Sequence, residues 1–230
     1  MASLHAVVER FVQRGAAECC GRPLLPLQRC FEVAAYTTPG ARAVNCKGQW
    51  LTYGELDAQA DALALLLQHR GLKPGKFCLI DLAPSIAQIR ATLAVLKAGA
   101  ACMYLAAGTD APGKALGLAV MRPAMRLVRD GACAAGDGAS ADLQTICCNE
   151  DAAPLPYGWP DEQPIDAHTP ASAHVVVSAG GDLQLHLRTH VSLSAGLEPW
   201  HGLLQSRAQQ CDPDIMWRPL SAGASYKLST

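Results

Sequence analysis

The sequence never gathers the roughly 20 uninterrupted apolar residues that a membrane-spanning helix requires, so no transmembrane segment is expected. Aromatic side chains are scarce at 5%, which leaves a core to be built from aliphatic groups; with half of the residues hydrophobic there are enough of them. Neither sign of charge prevails. The 19 Lys and Arg against 20 Asp and Glu leave a formal net charge of −1, which gives no basic field for a phosphate backbone and sets nucleic acid aside as a partner. The ten cysteines include no C-x-x-C pair, and the adjacent pairs Cys19–Cys20 and Cys147–Cys148 are poorly placed to chelate one tetrahedral ion. Cys78 and Cys102 stand inside apolar runs, which reads as small buried thiols, reduced and structural. No G-x-S-x-G elbow or Cys–His pairing stands out. The first residues carry Glu9 inside their hydrophobic pattern, unlike a secretion signal, and a cytoplasmic location is expected.

What is present is an alternation of strand and helix signals. Residues 3–14 read as an amphipathic helix, and 1–29 as that helix with a linker, ahead of an α/β domain over 30–230. FEVAAYTT reads as helical and is closed by Pro39-Gly40; two short strands flank Lys47-Gly48. Thr52 and Glu55 form a capping-box pattern, followed by Leu56, Ala60, Leu63 and Leu67 at helical spacing. Gly71 suits a left-handed helix stop. Lys76–Leu82 reads as a strand, Ser85 as the cap of a second helix with Ile86, Ile89, Leu93 and Leu96 on one face, and Ala101–Leu105 as the next strand. A third helix over 111–121 and a strand at Met125–Val128 continue the pattern, which predicts a mostly parallel sheet flanked by helices. Residues 131–170 form a loop-rich insert: a Gly/Ala-rich stretch, a weak strand at Leu143–Cys147, then a Pro-rich acidic stretch. A strand is expected at His174–Ser178 and a helix from His190 to Ala208. Gly71 to Lys76 hints at a Walker loop, but the spacing is one residue short, and a plain turn is the better reading. His186, His190 and His201 would need a continuous helix to share a metal, and no metal site is expected.

Two segments carry a resemblance. Leu51-Thr52-Tyr53-Gly54-Glu55-Leu56 is similar to an L-T-Y-x-E-L motif, and Leu96-Lys97-Ala98-Gly99-Ala100-Ala101 to an L-K-A-G-A-A-Y-x-P-L-D motif, both of the adenylation domains of nonribosomal peptide synthetases and, more widely, the adenylate-forming ligases. The stretch from about Cys30 to Asp130 follows that pattern almost continuously. Neither segment holds a nucleophile or a base, so they speak for fold and not for activity. The resemblance implies the first sheet-and-helix subdomain of such a domain.

The phosphate loop of the family, Y-T-S-G-[ST]-T-G-x-P-K-G followed by a His, corresponds here to Val177-Ser178-Ala179-Gly180-Gly181-Asp182-Leu183-Gln184-Leu185, with His190 in the family's His position. Glycines in such a loop let backbone amides approach phosphates, and the hydroxyls and Lys add donors and charge. This sequence implies a deletion of two residues, keeps one hydroxyl (Ser178), replaces the Lys by Gln184 and adds Asp182. Ser178, Gly180 and Gly181 would be what is left of the cofactor site. Losing a charge-assisted contact costs roughly 1.5–3 kcal/mol, and several lost together weaken nucleotide binding by orders of magnitude. Ala106 stands at the acidic position after the second motif, and Arg218–Ser225 falls where the family has F-D-x-S, with Gly223 near the Asp position.

The resemblance covers about half of a complete family member, so a truncated domain is expected. No catalytic residue, no metal and no bound ATP or Mg are expected, and the leading expectation is an inactive adenylation-like protein that partners a synthetase subunit, or itself as a homo-oligomer. The alternative is half of a split ligase that binds ATP and Mg together with another chain.

Overall fold

The computed structural model describes residues 26–46, 48–106, 109–129, 143–148, 165–166, 168–177, 183–193 and 225–228, the last group for its backbone alone. The expected helix at 3–14 and the stretches 131–142 and 150–164 lie outside them. The chain opens with helix α1 (Leu27–Thr37), then strands β1 (Arg42–Cys46) and β2 (Gln49–Thr52), an antiparallel hairpin of its own. Helix α2 (Tyr53–His69), β3 (Phe77–Asp81), helix α3 (Ile86–Lys97), β4 (Ala101–Leu105), helix α4 (Ala111–Met121), β5 (Met125–Val128), β6 (Gln144–Cys147), β7 (Pro170–Val177), β8 (Leu183–Thr189) and β9 (Ser225–Leu228) follow.

Local chemistry sets most of these boundaries. The Glu55 N–H donates to Thr52 Oγ1 at 3.2 Å and the Thr52 N–H donates to Glu55 Oε2 at 2.9 Å, the reciprocal capping box that starts α2. Gly71, at φ +91, ends that helical segment in the left-handed region. Ser85 and Asp110 accept from the backbone N–H three residues on and cap α3 and α4. Helix α1 begins at Leu27, earlier than the FEVAAYTT pattern suggests, because Pro26 sits ahead of its first turn with its missing N–H where no helical bond is needed. The helix therefore spans the expected boundary between residues 29 and 30.

The seven-stranded sheet has the order β6-β5-β3-β4-β7-β8-β9. The first five strands run parallel, and β8 and β9 join antiparallel. One face packs Cys78, Ile80, Cys102, Met125 and Leu127 against α2 and α3; the other packs Leu79, Met103, Val175 and Leu185 with the partly buried Leu116 and Leu118 of α4. Leu56, Leu67 and Leu96 are at most 1% exposed, and burial of such a side chain contributes about 1.5–3 kcal/mol. The expected apolar face of α3 is too narrow a description: the helix is buried from Ile89 to Lys97, including Arg90 and Lys97, because α2 and the sheet enclose it.

The cysteine expectation holds for five residues and fails for one. Cys30, Cys46, Cys78, Cys102 and Cys148 are thiols outside any disulfide, and burial pushes the Cys102 thiol up to about 12 and that of Cys148 to about 11, so both stay protonated. Cys147, at the end of the edge strand β6, is disulfide-bonded.

Candidate functional site

Ligands of open α/β sheets gather at the carboxyl ends of the parallel strands. At that edge β7 ends in Val177 and turns back as β8, and the last ladder pair is Val177 with Leu183. The turn between them carries Ser178, Gly180, Gly181 and Asp182, which lie outside the described residues. What surrounds it is described. Helix α4 starts at the same edge, capped by Asp110, and its Gly113 meets the last residue of β7: a Cβ there would lie 3.2 Å from Val177 Cβ and 2.7 Å from Asp110 Oδ1. One turn on, a Cβ at Gly117 would lie 3.0 Å from Leu105 Cδ2 and 3.3 Å from Val175 Cγ1. Glycines thus bring α4 close against the strand that feeds the turn.

Leu183 is 2% exposed and points into the α4 side of the sheet, while Gln184 is half-buried and pairs with Val176 on one side and Lys227 of β9 on the other. The strand runs through Thr189, so the family's His position follows directly. The His190 N–H donates to the Thr169 carbonyl at 3.3 Å, and the Ser192 N–H donates to Thr189 Oγ1 at 3.1 Å, which caps a helical turn over 190–193. Of the expected helix from His190 to Ala208, this turn is the described part. His190 is 1% exposed, its Nδ1 has no hydrogen-bond partner, and burial pulls its pKa down to about 4. His186 lies on β8 and His190 on the following helical turn, so the two never share a helix face; His201 lies outside the described residues.

The other segments behave as fold motifs. Lys97 of the second motif is buried and donates to Asp57 at 2.7 Å and to Asp61 at 2.5 Å, with Glu32 at 3.7 Å, tying α3 to α2 and α1. Ala106, at the family's acidic position, uses its N–H to bond the Val175 carbonyl at 3.0 Å. Gly71 to Lys76 is the turn between α2 and β3, with Gly75 also at positive φ, as a plain turn requires. Ser225, the end of the segment aligned loosely with F-D-x-S, opens edge strand β9, and Gly223 lies outside the described residues. Sequence reasoning missed the Lys97 cluster, whose only signal was a lysine inside an apolar helical run. It also missed a group of buried polar residues on β7 and β8, whose convergence depends on strand register.

Comparison with known proteins agrees with this layout. The sequence model of the family described as "AMP-binding enzyme" matches residues 31–178. Malpibaldin synthetase of Mortierella alpina is 45% identical over 75 residues, 33% of this chain and 1% of that protein. Bacitracin synthase 2 of Bacillus licheniformis is 41% identical over 86 residues, 37% of this chain and 3% of that protein. Among solved structures, the N-terminal subdomain of Klebsiella oxytoca NpsA in complex with 3-hydroxyanthranilyl-AMSN aligns with a TM-score of 0.63 at 18% identity, covering 77% of this chain and 44% of that one. A fatty acyl-adenylate ligase from L. pneumophila aligns with a TM-score of 0.63 at 19% identity, over 79% of this chain and 32% of that one. The chain thus spans less than half the length of these structures and a few per cent of the synthetases.

Proposed function

Because the chain belongs to the family of AMP-binding enzymes and forms an adenylation-domain-like fragment, we propose that it acts as a catalytically inactive partner or scaffold in nonribosomal peptide or related biosynthesis, in the cytoplasm. The observation that carries this reading is the turn after β7. The family match reaches Ser178 and stops there. The residues beyond it supply two glycines, no further hydroxyl and one carboxylate before β8 begins, and Gln184 occupies the lysine position on a strand whose preceding residue, Leu183, is buried. Such a turn does not fit a triphosphate: Asp182 repels it, and each missing charge-assisted contact costs roughly 1.5–3 kcal/mol. The retained fold is then the functional part, and a synthetase subunit or a second copy would be its partner. Amino-acid-dependent pyrophosphate exchange tests it directly. The expected result is no exchange by the purified chain and co-purification with a synthetase subunit; exchange by the chain alone overturns the reading.

One observation favours a second reading. Register sets Lys227 of β9 opposite Gln184, so the strand position that has lost its lysine has a lysine as its cross-strand neighbour. If that residue serves, the chain is half of a split ligase that binds ATP and Mg with another chain, and exchange appears only when the second chain is added.

A further inference from the structure

Edge strand β6 has little of its own to keep it in the sheet. Its four residues pair in parallel with β5 and, among the described residues, with no strand on the other side. Within the strand Ile146 alone is buried; Gln144 is exposed, and Thr145 and Cys147 are half-buried. The ladder continues one step further, where the Cys148 N–H donates to the Val128 carbonyl at 2.8 Å. One short parallel ladder and the burial of Ile146 and Cys148 are little to set against the entropy of ordering the segment. Cys147 adds a second hold, because it is disulfide-bonded. Cys30, Cys46, Cys78, Cys102 and Cys148 are thiols outside any disulfide, so its bonding partner lies outside the described residues. The bond therefore fastens β6 by a link that the ladder with β5 does not supply, and a cross-link limits the states open to a segment that leaves its place.

We infer that this disulfide is a redox-sensitive switch built into the sheet edge: oxidised, it keeps β6 paired with β5; reduced, it lets β6 leave, and β5 becomes the edge strand. A dithiol reductant supplies the two electrons. Its thiolate attacks one sulfur of the bond, and the other leaves as a thiolate and takes a proton. The second thiol of the reductant then displaces the mixed disulfide, so the protein gains two thiols and the reductant becomes a disulfide. Cys147 is open to such a reagent in a way that Cys78 and Cys102, at 0% exposed, are not. The neighbouring Cys148 does not open the bond from within: burial holds its thiol at about 11, and a protonated thiol is not a nucleophile. Departure of β6 frees the backbone groups of Met125–Val128 that pair with it, so oxidation state decides which strand ends the sheet.

Hydrogen exchange of the full chain, read by mass spectrometry before and after dithiothreitol without denaturant, tests this together with alkylation of Cys147. Cys147 should be alkylated only after dithiothreitol. The peptide covering residues 144–148 should then exchange about tenfold faster or more, while peptides of β3 and β4 keep their rates. Cys147→Ser should show the faster exchange with no reductant present. Should that variant fail to fold, the oxidised and reduced wild type decide alone. Alkylation of Cys147 before reduction would overturn the switch, as would a bond that dithiothreitol leaves closed in the folded chain. Unchanged exchange at 144–148 on reduction would overturn it too, and an equal rise in β3 and β4 would show the bond holding the whole fold and not the edge.

Discussion

Lys97 Nζ lies 2.5 Å from Asp61 Oδ1 inside the helical layer, and the same ammonium bonds Asp57 at 2.7 Å. The lysine belongs to the motif that ends α3, and both partners belong to the helix that the first motif starts, so the two segments that carry the family likeness are joined by one buried ion cluster. Burial works against the charge on Lys97, but the hydrogen bonds it donates to Asp57 and Asp61, with the charges of those carboxylates, outweigh it and raise its pKa; burial is the leading cause that raises Asp61.

Removing Lys97 alone should therefore be severe. Lys97→Ala leaves Asp61 buried without its cation, and a loss of about 3–5 kcal/mol is expected. The double variant Lys97→Met with Asp61→Leu should recover most of it, since an apolar pair of similar volume can replace a buried ion pair. Urea unfolding midpoints of the two variants check this; a double variant no more stable than the single one would contradict it.

The two buried histidines set an acid limit. His174 and His190 both have their pKa pulled to about 4 by burial, from an ordinary 6.5. The unfolded chain thus binds protons that the folded one refuses, and the stability present above about 6.5 is lost as pH falls toward about 4. For His190, 1% exposed, the loss is on the order of 3 kcal/mol. Urea midpoints measured down through that range should fall, and His190→Gln should fall less steeply than the wild type.

How much of this was legible beforehand varied with the kind of information. Phe77 to Val128 could be read almost element by element, because caps such as Ser85 and the spacing of Leu93 and Leu96 are local. The strand β7 begins at Pro170, ahead of the expected His174, because Pro-Ala-Ser carries no β signal and enters the sheet by pairing with β8 and, at Ser172, with Cys102 of β4. Leu183–Thr189 alternates apolar and polar residues, a strand pattern masked by the search for a phosphate loop over the same residues. Nothing local marks Ser172 of β7 and Arg188 of β8 as ladder neighbours, since their pairing is a matter of register.

Two glycines of α4 should respond differently to alanine. A Cβ at Gly113 would come within 2.7 Å of Asp110 Oδ1 and 2.9 Å of Thr109 Cγ2, so it strikes the helix cap itself. Gly113→Ala should cost about 1–2 kcal/mol despite the gain in helix propensity. At Gly117 the closest atom is the end of the Leu105 side chain at 3.0 Å, which can move, and the propensity gain offsets the crowding. Gly117→Ala should stay within about 0.5 kcal/mol of the wild type. Denaturant unfolding of the pair would show whether the cap or the strand contact governs how α4 seats on β7.

The proposed inactivity makes a prediction about gain as well as loss. If charge at the turn after β7 is what forbids nucleotide, Asp182→Asn with Gln184→Lys removes one repulsion and restores one cation, and each change is worth roughly a charge-assisted contact of 1.5–3 kcal/mol. Gln184 is half-buried on a ladder between Val176 and Lys227, so a lysine there can extend along the strand with its head in water, and folding should be preserved. Magnesium-dependent ATP affinity of this double variant, read by calorimetry, should exceed that of the wild type by at least about tenfold. The position of Lys227 sets the opposing outcome. Were that residue already serving the phosphates, the wild type would bind ATP measurably, Lys227→Ala would abolish the binding, and the added lysine at 184 would gain little. The two patterns cannot both occur, so this one set of titrations separates an inactive partner from half of a ligase.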